Sequence, residues 1–139
     1  MMPATAPLVF TAARDAMGEM DAWLSAFAHA HGLTEEVREE LRVCLHELAA
    51  NVILHGGQEG GPRTIEVTGH MEGTRAVLEF SDNAPAFDPL ARDVGPATGT
   101  METVAIGGLG LHLVRSFTDE LAYRRDAGWN RLTLVRGPR

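Results

Sequence analysis

At Gly56–Pro62 the apolar pattern of this chain changes period, and that change limits the folds open to it. Before the glycines, apolar residues recur twice at helical spacing; after them they alternate. Arg14–His31 carries Met17, Met20, Trp23 or Leu24, and Phe27 on one stripe, and Gly32 follows where a helix commonly stops. Thr34 then precedes Glu35, Glu36 and Val37, an N-cap with acidic first-turn residues. A second helix is predicted from there to about His55, with Val37, Leu41, Cys44/Leu45, Leu48 and Val52 as its apolar stripe. Thr64–Thr68 alternates strictly, Glu72-Gly73 turns, and Arg75–Ser81 reads as the next strand. Leu8–Thr11 is a short extended candidate ahead of the first helix. Residues 82–108 hold three of the seven prolines and little periodicity, which predicts a long functional loop. Leu109–Phe117 resumes helical spacing, and Glu120–Arg125 and Asn130–Val135 form a hairpin around Asp126-Ala127-Gly128. This order predicts an α+β fold, a two-layer α/β sandwich with helices on one face of a mainly antiparallel, mixed sheet.

The length, 139 residues, fits a single domain over 1–139 with one core. One cysteine, Cys44, excludes an internal disulfide framework and a cysteine-rich zinc module. No apolar run approaches the ~18 residues of a membrane span. The first basic residue is Arg14, so the N-terminus lacks a cationic opening and a cytoplasmic location is expected. Net charge is −7, with 4 basic and 10 acidic groups in residues 1–70 against 8 and 9 in residues 71–139. Such an acidic chain is a poor binder of nucleic acid. All 12 basic residues are arginine; without lysine, neither a P-loop nor a Schiff-base mechanism is available.

Three segments carry candidate chemistry. On the second helix Glu47, Asn51 and His55 are four apart, each advancing about 40° around the axis, so they form one polar row beside the apolar stripe. A solvated helix flank explains that row, and so does a site: an amide oxygen for Mg²⁺ at Asn51, with Glu47 a turn away to take a proton from a hydroxyl. His46-Glu47-Leu48-Ala49-Ala50 is not a zinc-protease motif, because alanine stands at the second ligand position. His29 and His31 are expected at the surface. The second segment is Asp82-Asn83-Ala84-Pro85-Ala86-Phe87-Asp88-Pro89, where a carboxylate after a strand suits either an exocyclic amine such as adenine's or an Asx-type turn. The third is Ile106-Gly107-Gly108-Leu109-Gly110-Leu111, glycines opening a helix, which suit a phosphate or a plain hinge.

In order and spacing these three segments resemble the N, G1 and G2 boxes of the Bergerat (GHKL) ATP-binding fold. Within it the chain resembles the small bacterial anti-sigma factor/serine-protein kinases of the RsbW and SpoIIAB type, from about Leu8 to Val135. The resemblance implies ATP and Mg²⁺ as cofactors, Glu47 as general base, Asn51 as metal ligand, and Asp82 at the adenine amine. It further implies Gly107, Gly108, Gly110 and Leu111 at the phosphates, residues 91–106 as an ATP lid, and Thr133 near adenine, where an ordinary strand residue serves equally. Its implied partners are a sigma factor and a STAS-type anti-sigma-factor antagonist carrying the target serine, with a homodimer as the assembly. His55 stays near the site, as a cation at a helix C-terminus.

Ala84 and Ala86 stand where the wider fold has glycine, and Ile106 where a cation precedes the glycine box, leaving an arginine such as Arg92 or Arg115 for the γ-phosphate. Those departures motivate an alternative, a regulatory module of the same fold that acts by protein contact without catalysis. A sensor histidine kinase's ATP-binding domain is disfavoured, since the chain lacks length for the phospho-accepting helices.

Overall fold

The computed structural model describes residues 7–13, 16–55, 63–88 and 109–138. Its elements run β1 (Leu8–Thr11), α1 (Met17–His31), α2 (Glu35–His55), β2 (Thr64–Glu72), β3 (Arg75–Asp82), α3 (Leu109–Phe117), β4 (Glu120–Asp126) and β5 (Trp129–Arg136). Every element expected from the periodicity is formed. Gly32 ends α1 in the left-handed region at φ 67°. The Thr34 hydroxyl accepts a hydrogen bond from the Val37 amide at 3.2 Å, satisfying an amide that the first turn of α2 leaves open.

The five strands lie in the order β1-β2-β3-β5-β4, and all four pairings are antiparallel. The mainly antiparallel sheet expected from the sequence is formed, and only its mixed character is corrected: among the described residues no parallel pair forms. The connections give the reason. The α1–α2 pair carries the chain down and back, so β2 returns antiparallel to β1. β3 and β4, which flank α3 in sequence, run the same way, but β5 inserts between them. The β4–β5 hairpin turns through Ala127 at φ 50° and Gly128 at φ 89°, the two positive angles that a tight twisted hairpin requires.

The helices cover one sheet face. Met20, Leu24 and Phe27 of α1, Leu41, Cys44, Leu45 and Leu48 of α2, and Val114 of α3 are buried with Ile65, Val67, Leu78, Phe80, Leu132 and Leu134 of the sheet. The Cys44 thiol is pushed up to about 12, chiefly by burial, and is a core residue. Strand β2 approaches α1 so closely at Gly69 that an added Cβ would stand 2.8 Å from Phe27 and 2.9 Å from both Trp23 and Leu78. His31 corrects a surface expectation. One turn beyond Phe27, its half-buried ring lies 4.6 Å from the Phe27 ring, because residues four apart share a helix face. His29 is exposed, as expected.

The opposite sheet face is charged. Arg131 reaches Glu66, Glu79 and Asp126, Arg124 reaches Glu79 and Asp126, and the Arg131 guanidinium lies 5.6 Å from the Trp129 ring centre. Among the described residues no helix is long and apolar enough to cross a membrane.

Candidate active site

The two layers do not close over the C-terminal half of α2. There a cleft of about 350 Å³, counting its open mouth, is lined by Leu48, Asn51 and Val52 of α2, Phe80 and Asp82 of β3, Phe87 beyond it, Tyr123 of β4, and Asn130 and Leu132 of β5. Two of the expected site residues, Asn51 and Asp82, thus share one cavity although 31 positions separate them in the chain. The helical stripe explains the first, since Asn51 follows Leu48 by three and flanks Val52. Strand alternation explains the second, since Asp82 follows Leu78 and Phe80 on the core face.

Asn51 is half-buried and forms no side-chain hydrogen bond with another described residue, so its amide oxygen is unclaimed toward the cleft. Among the described residues no cluster of three or more His, Cys, Asp or Glu gathers to bind a metal. A neutral amide oxygen with a carboxylate near it suits Mg²⁺, which accepts few protein ligands and completes its shell with water and phosphate. The donor set present fits that ion. Glu47 lies one turn earlier on α2, half-buried and outside the cleft lining, with no ion pair to a described residue. His46 beside it is bound to Asp21 at 2.6 Å, tying α2 to α1.

Asp82 is 8% exposed. Burial pushes its carboxyl above the ordinary range, while hydrogen bonds from Asn130 and the Ala84 amide, and the charges of Arg125 and Arg63, pull it back. Its Oδ1 accepts from the Ala84 N–H at 3.0 Å and from Asn130 Nδ2 at 2.9 Å. The Asx-type turn and the buried acceptor are therefore one structure. Asn83 closes the other side, its Oδ1 accepting from the Thr64 amide at 2.8 Å.

Thr133 is corrected. In register it sits between Glu79 and Ala122, and its parity opposes that of Asn130 and Leu132, which line the cleft. Side chains alternate across a strand, so Thr133 lies on the charged face of the sheet, away from the cleft. Asn130, directly paired with Asp82, occupies the place expected of Thr133. Sequence reasoning missed Asn130 and Tyr123, and gave Phe87, inside the second candidate segment, no role of its own. A signal for Asn130 existed: it is a polar residue at the core-facing parity of a strand otherwise carrying Leu132 and Leu134 there.

Gly107, Gly108, the 91–106 lid, Arg92 and Ile106 lie outside the described residues. Gly110 and Leu111 fall in the first turn of α3, whose backbone is described. His55 is the last residue of α2, and its side chain is outside the described set.

The comparisons agree with this fold. The sequence profile described as the histidine kinase-like ATPase domain matches residues 10–136. Serine/threonine-protein kinase BtrW of Bordetella bronchiseptica is 32% identical over 113 residues, covering 81% of this chain and 80% of the relative. Serine-protein kinase RsbW of Halalkalibacterium halodurans is 27% identical over 130 residues, covering 91% and 79%. RsbW of Listeria innocua is 32% identical over 111 residues, covering 76% and 69%. Among solved structures, the histidine kinase domain of the Erythrobacter litoralis EL346 blue-light activated histidine kinase superposes with TM-score 0.55 at 14% identity. That match takes in 99% of this chain but 65% of the kinase domain, and at such low identity it speaks for the fold alone. A two-layer sandwich with Asn51 and Asp82 across one cleft, and a profile match over nearly its whole length, place the chain in the histidine kinase-like ATPase domain family, among the RsbW-type serine-protein kinases.

Proposed function

We propose that residues 1–139 act as one ATP-dependent domain that transfers a phosphoryl group to a serine of a STAS-type antagonist and, in partner switching, binds a sigma factor. The observation that carries this reading is the shared cleft of Asn51 and Asp82. The reading assigns the Asp82 carboxylate to the exocyclic amine of adenine. It assigns Gly107, Gly108, Gly110 and Leu111 to the phosphates, where helix N-terminal amides favour anions. Asn51 Oδ1 holds Mg²⁺, which supplies screening of the phosphate charge when bound. Glu47 takes the proton of the serine hydroxyl as its oxygen bonds to the γ-phosphorus and the bond to the β-phosphate oxygen breaks. Phosphoryl transfer asks mainly for alignment and charge neutralisation, and this arrangement offers both. A homodimer in the cytoplasm completes the reading.

Glu47→Ala tests the chemistry. Nucleotide affinity is expected to stay within a few-fold, because Glu47 lies outside the cleft lining. Transfer of labelled phosphate to a STAS-type antagonist is expected to fall about 100-fold or more, the usual loss on removing a general base. An unchanged transfer rate contradicts the assignment. ATP binding without transfer by the wild-type chain favours the alternative, a module that regulates by contact alone.

A further inference from the structure

One buried amide organises the base end of the cleft. Asn130 is 6% exposed, and both ends of its side chain are fully engaged. Its Oδ1 accepts from the Tyr123 hydroxyl at 2.6 Å, from Arg125 Nη1 at 3.1 Å and from the Phe87 amide at 3.2 Å. Its Nδ2 donates to Asp82 Oδ1 at 2.9 Å, to the Pro85 carbonyl at 3.0 Å and to the Ala84 carbonyl at 3.3 Å. Exchanging oxygen and nitrogen would set the amide hydrogens against the Arg125 guanidinium and the Phe87 amide, which only donate, so the network fixes which end faces Asp82. Arg125 also donates to the Ala84 carbonyl at 2.8 Å, and strand β4 thereby grips the same segment.

The consequence falls on Asp82. Its Oδ1 is occupied by Asn130 and the Ala84 amide, so the second oxygen is the one left to meet a ligand. Resting on the ATP reading above, we propose that Asn130 is a positioning residue for nucleobase choice: it holds the Asp82 carboxyl and the 84–87 backbone so that Asp82 selects a purine bearing an amine over one bearing an oxo group. A carboxylate oxygen accepts from an exocyclic amine and repels an exocyclic carbonyl, so discrimination depends on how firmly that oxygen is aimed.

A protonation signature follows from the same bonds. The groups facing Asp82 are Arg125 and, through Asn130, Tyr123 from β4, and Arg63 ahead of β2. From α2 the cleft receives Leu48, Asn51 and Val52, none of which titrates. Without the Asn130 N–H, burial acts on the carboxyl with less opposition, and its proton is held to higher pH.

The test is calorimetric titration of the full chain with ATP and with inosine triphosphate across the acid range, for wild type, Asn130→Ala, Asn130→Thr and Tyr123→Phe. Wild type is expected to prefer ATP. Asn130→Ala is expected to weaken ATP about 10-fold with little change for inosine triphosphate. Relative to wild type, the acid-side loss of ATP affinity is expected to move up by about one pH unit, the scale of a charged-group hydrogen bond. Asn130→Thr, whose hydroxyl can donate to Asp82, is expected to recover part of both. Tyr123→Phe keeps the ring in the cleft wall and should move both in the same direction by less, which keeps the test decisive if Asn130→Ala does not fold. Equal weakening of both nucleotides with an unmoved acid limb overturns the positioning role alone. Failure of wild type to bind ATP saturably overturns the ATP reading and this proposal with it.

Discussion

Asp82→Asn is expected to abolish ATP binding while leaving the melting temperature where it was or raising it. Asn keeps an Oδ1 that can accept from the Ala84 amide and Asn130 Nδ2, so the turn after β3 survives. What changes is the other position, where an acceptor becomes an N–H donor facing the adenine amine. A site built around a hydrogen bond loses about 100-fold or more when the complement is reversed. Stability moves oppositely. Burial raises the folded carboxyl above its unfolded value, so the group's stabilising contribution is present below the unfolded pKa and is lost as pH rises through the folded one. At neutral pH the ionised, 8% exposed carboxylate therefore works against folding, and a neutral amide relieves it. Calorimetry and a thermal melt on the same sample check the pair. ATP affinity within a few-fold of wild type contradicts the site, and a large fall in melting temperature contradicts the electrostatic account.

The second large effect lies at the other end of α2. Arg136, the last residue of β5, has a fully buried side chain that pairs with Glu40 of α2 and donates to the Gly137 carbonyl at 3.0 Å. The segment is tied further by the Gly137 amide donating to Asp119 Oδ2 at 2.6 Å and the Asp119 amide donating to the Val135 carbonyl at 2.7 Å. Removing one member of a buried ion pair leaves the other desolvated, so Arg136→Ala is expected to cost about 3 kcal/mol. In a chain of this size that lowers the melting temperature by about 10 °C. Replacing both partners, as Glu40→Leu with Arg136→Met, is expected to recover most of the loss, since well-packed apolar residues often match a buried pair. Glu40 stands eleven residues before Asn51, about 16 Å along the helix axis, so ATP affinity should not change in any variant that folds. Denaturant titration reads the stability. A double variant no better than the single one contradicts the ion-pair explanation.

Much of this architecture was legible because periodicity reports which face of an element is buried. Val37, Leu41, Cys44, Leu45, Leu48 and Val52 form one stripe by spacing, and all are buried. Asn51 could be placed beside that stripe by counting along the helix, and Asp82 by its position after a strand. Sheet order was less accessible. Whether a strand pairs with its sequence neighbour or admits β5 between β3 and β4 is decided by long-range packing, which no local pattern records. The mainly antiparallel character of the sheet is legible from the element order, whereas the absence of any parallel pair among the described strands is not.

Register explains the remaining errors at the site. Thr133 and Asn130 are three apart in one strand, so they face opposite sides, and only the pairing of Asp82 with Asn130 shows which of them looks into the cleft. The hub role of Asn130 was illegible for the same reason. Its partners lie at Asp82, Ala84, Pro85, Phe87, Tyr123 and Arg125, in segments brought together by tertiary structure. His31, expected at the surface together with His29, is drawn inward by the Phe27 ring one turn earlier.

The central claim, one nucleotide-binding cleft between α2 and the sheet, is tested most directly by following the side-chain amide signals of Asn51 and Asn130 in a titration with Mg²⁺ and ATP. The account predicts that both signals shift together and saturate at one nucleotide per chain, and that neither shifts in Asp82→Asn. Saturable ATP binding that leaves both signals in place, or no saturable binding by the wild-type chain, would contradict it.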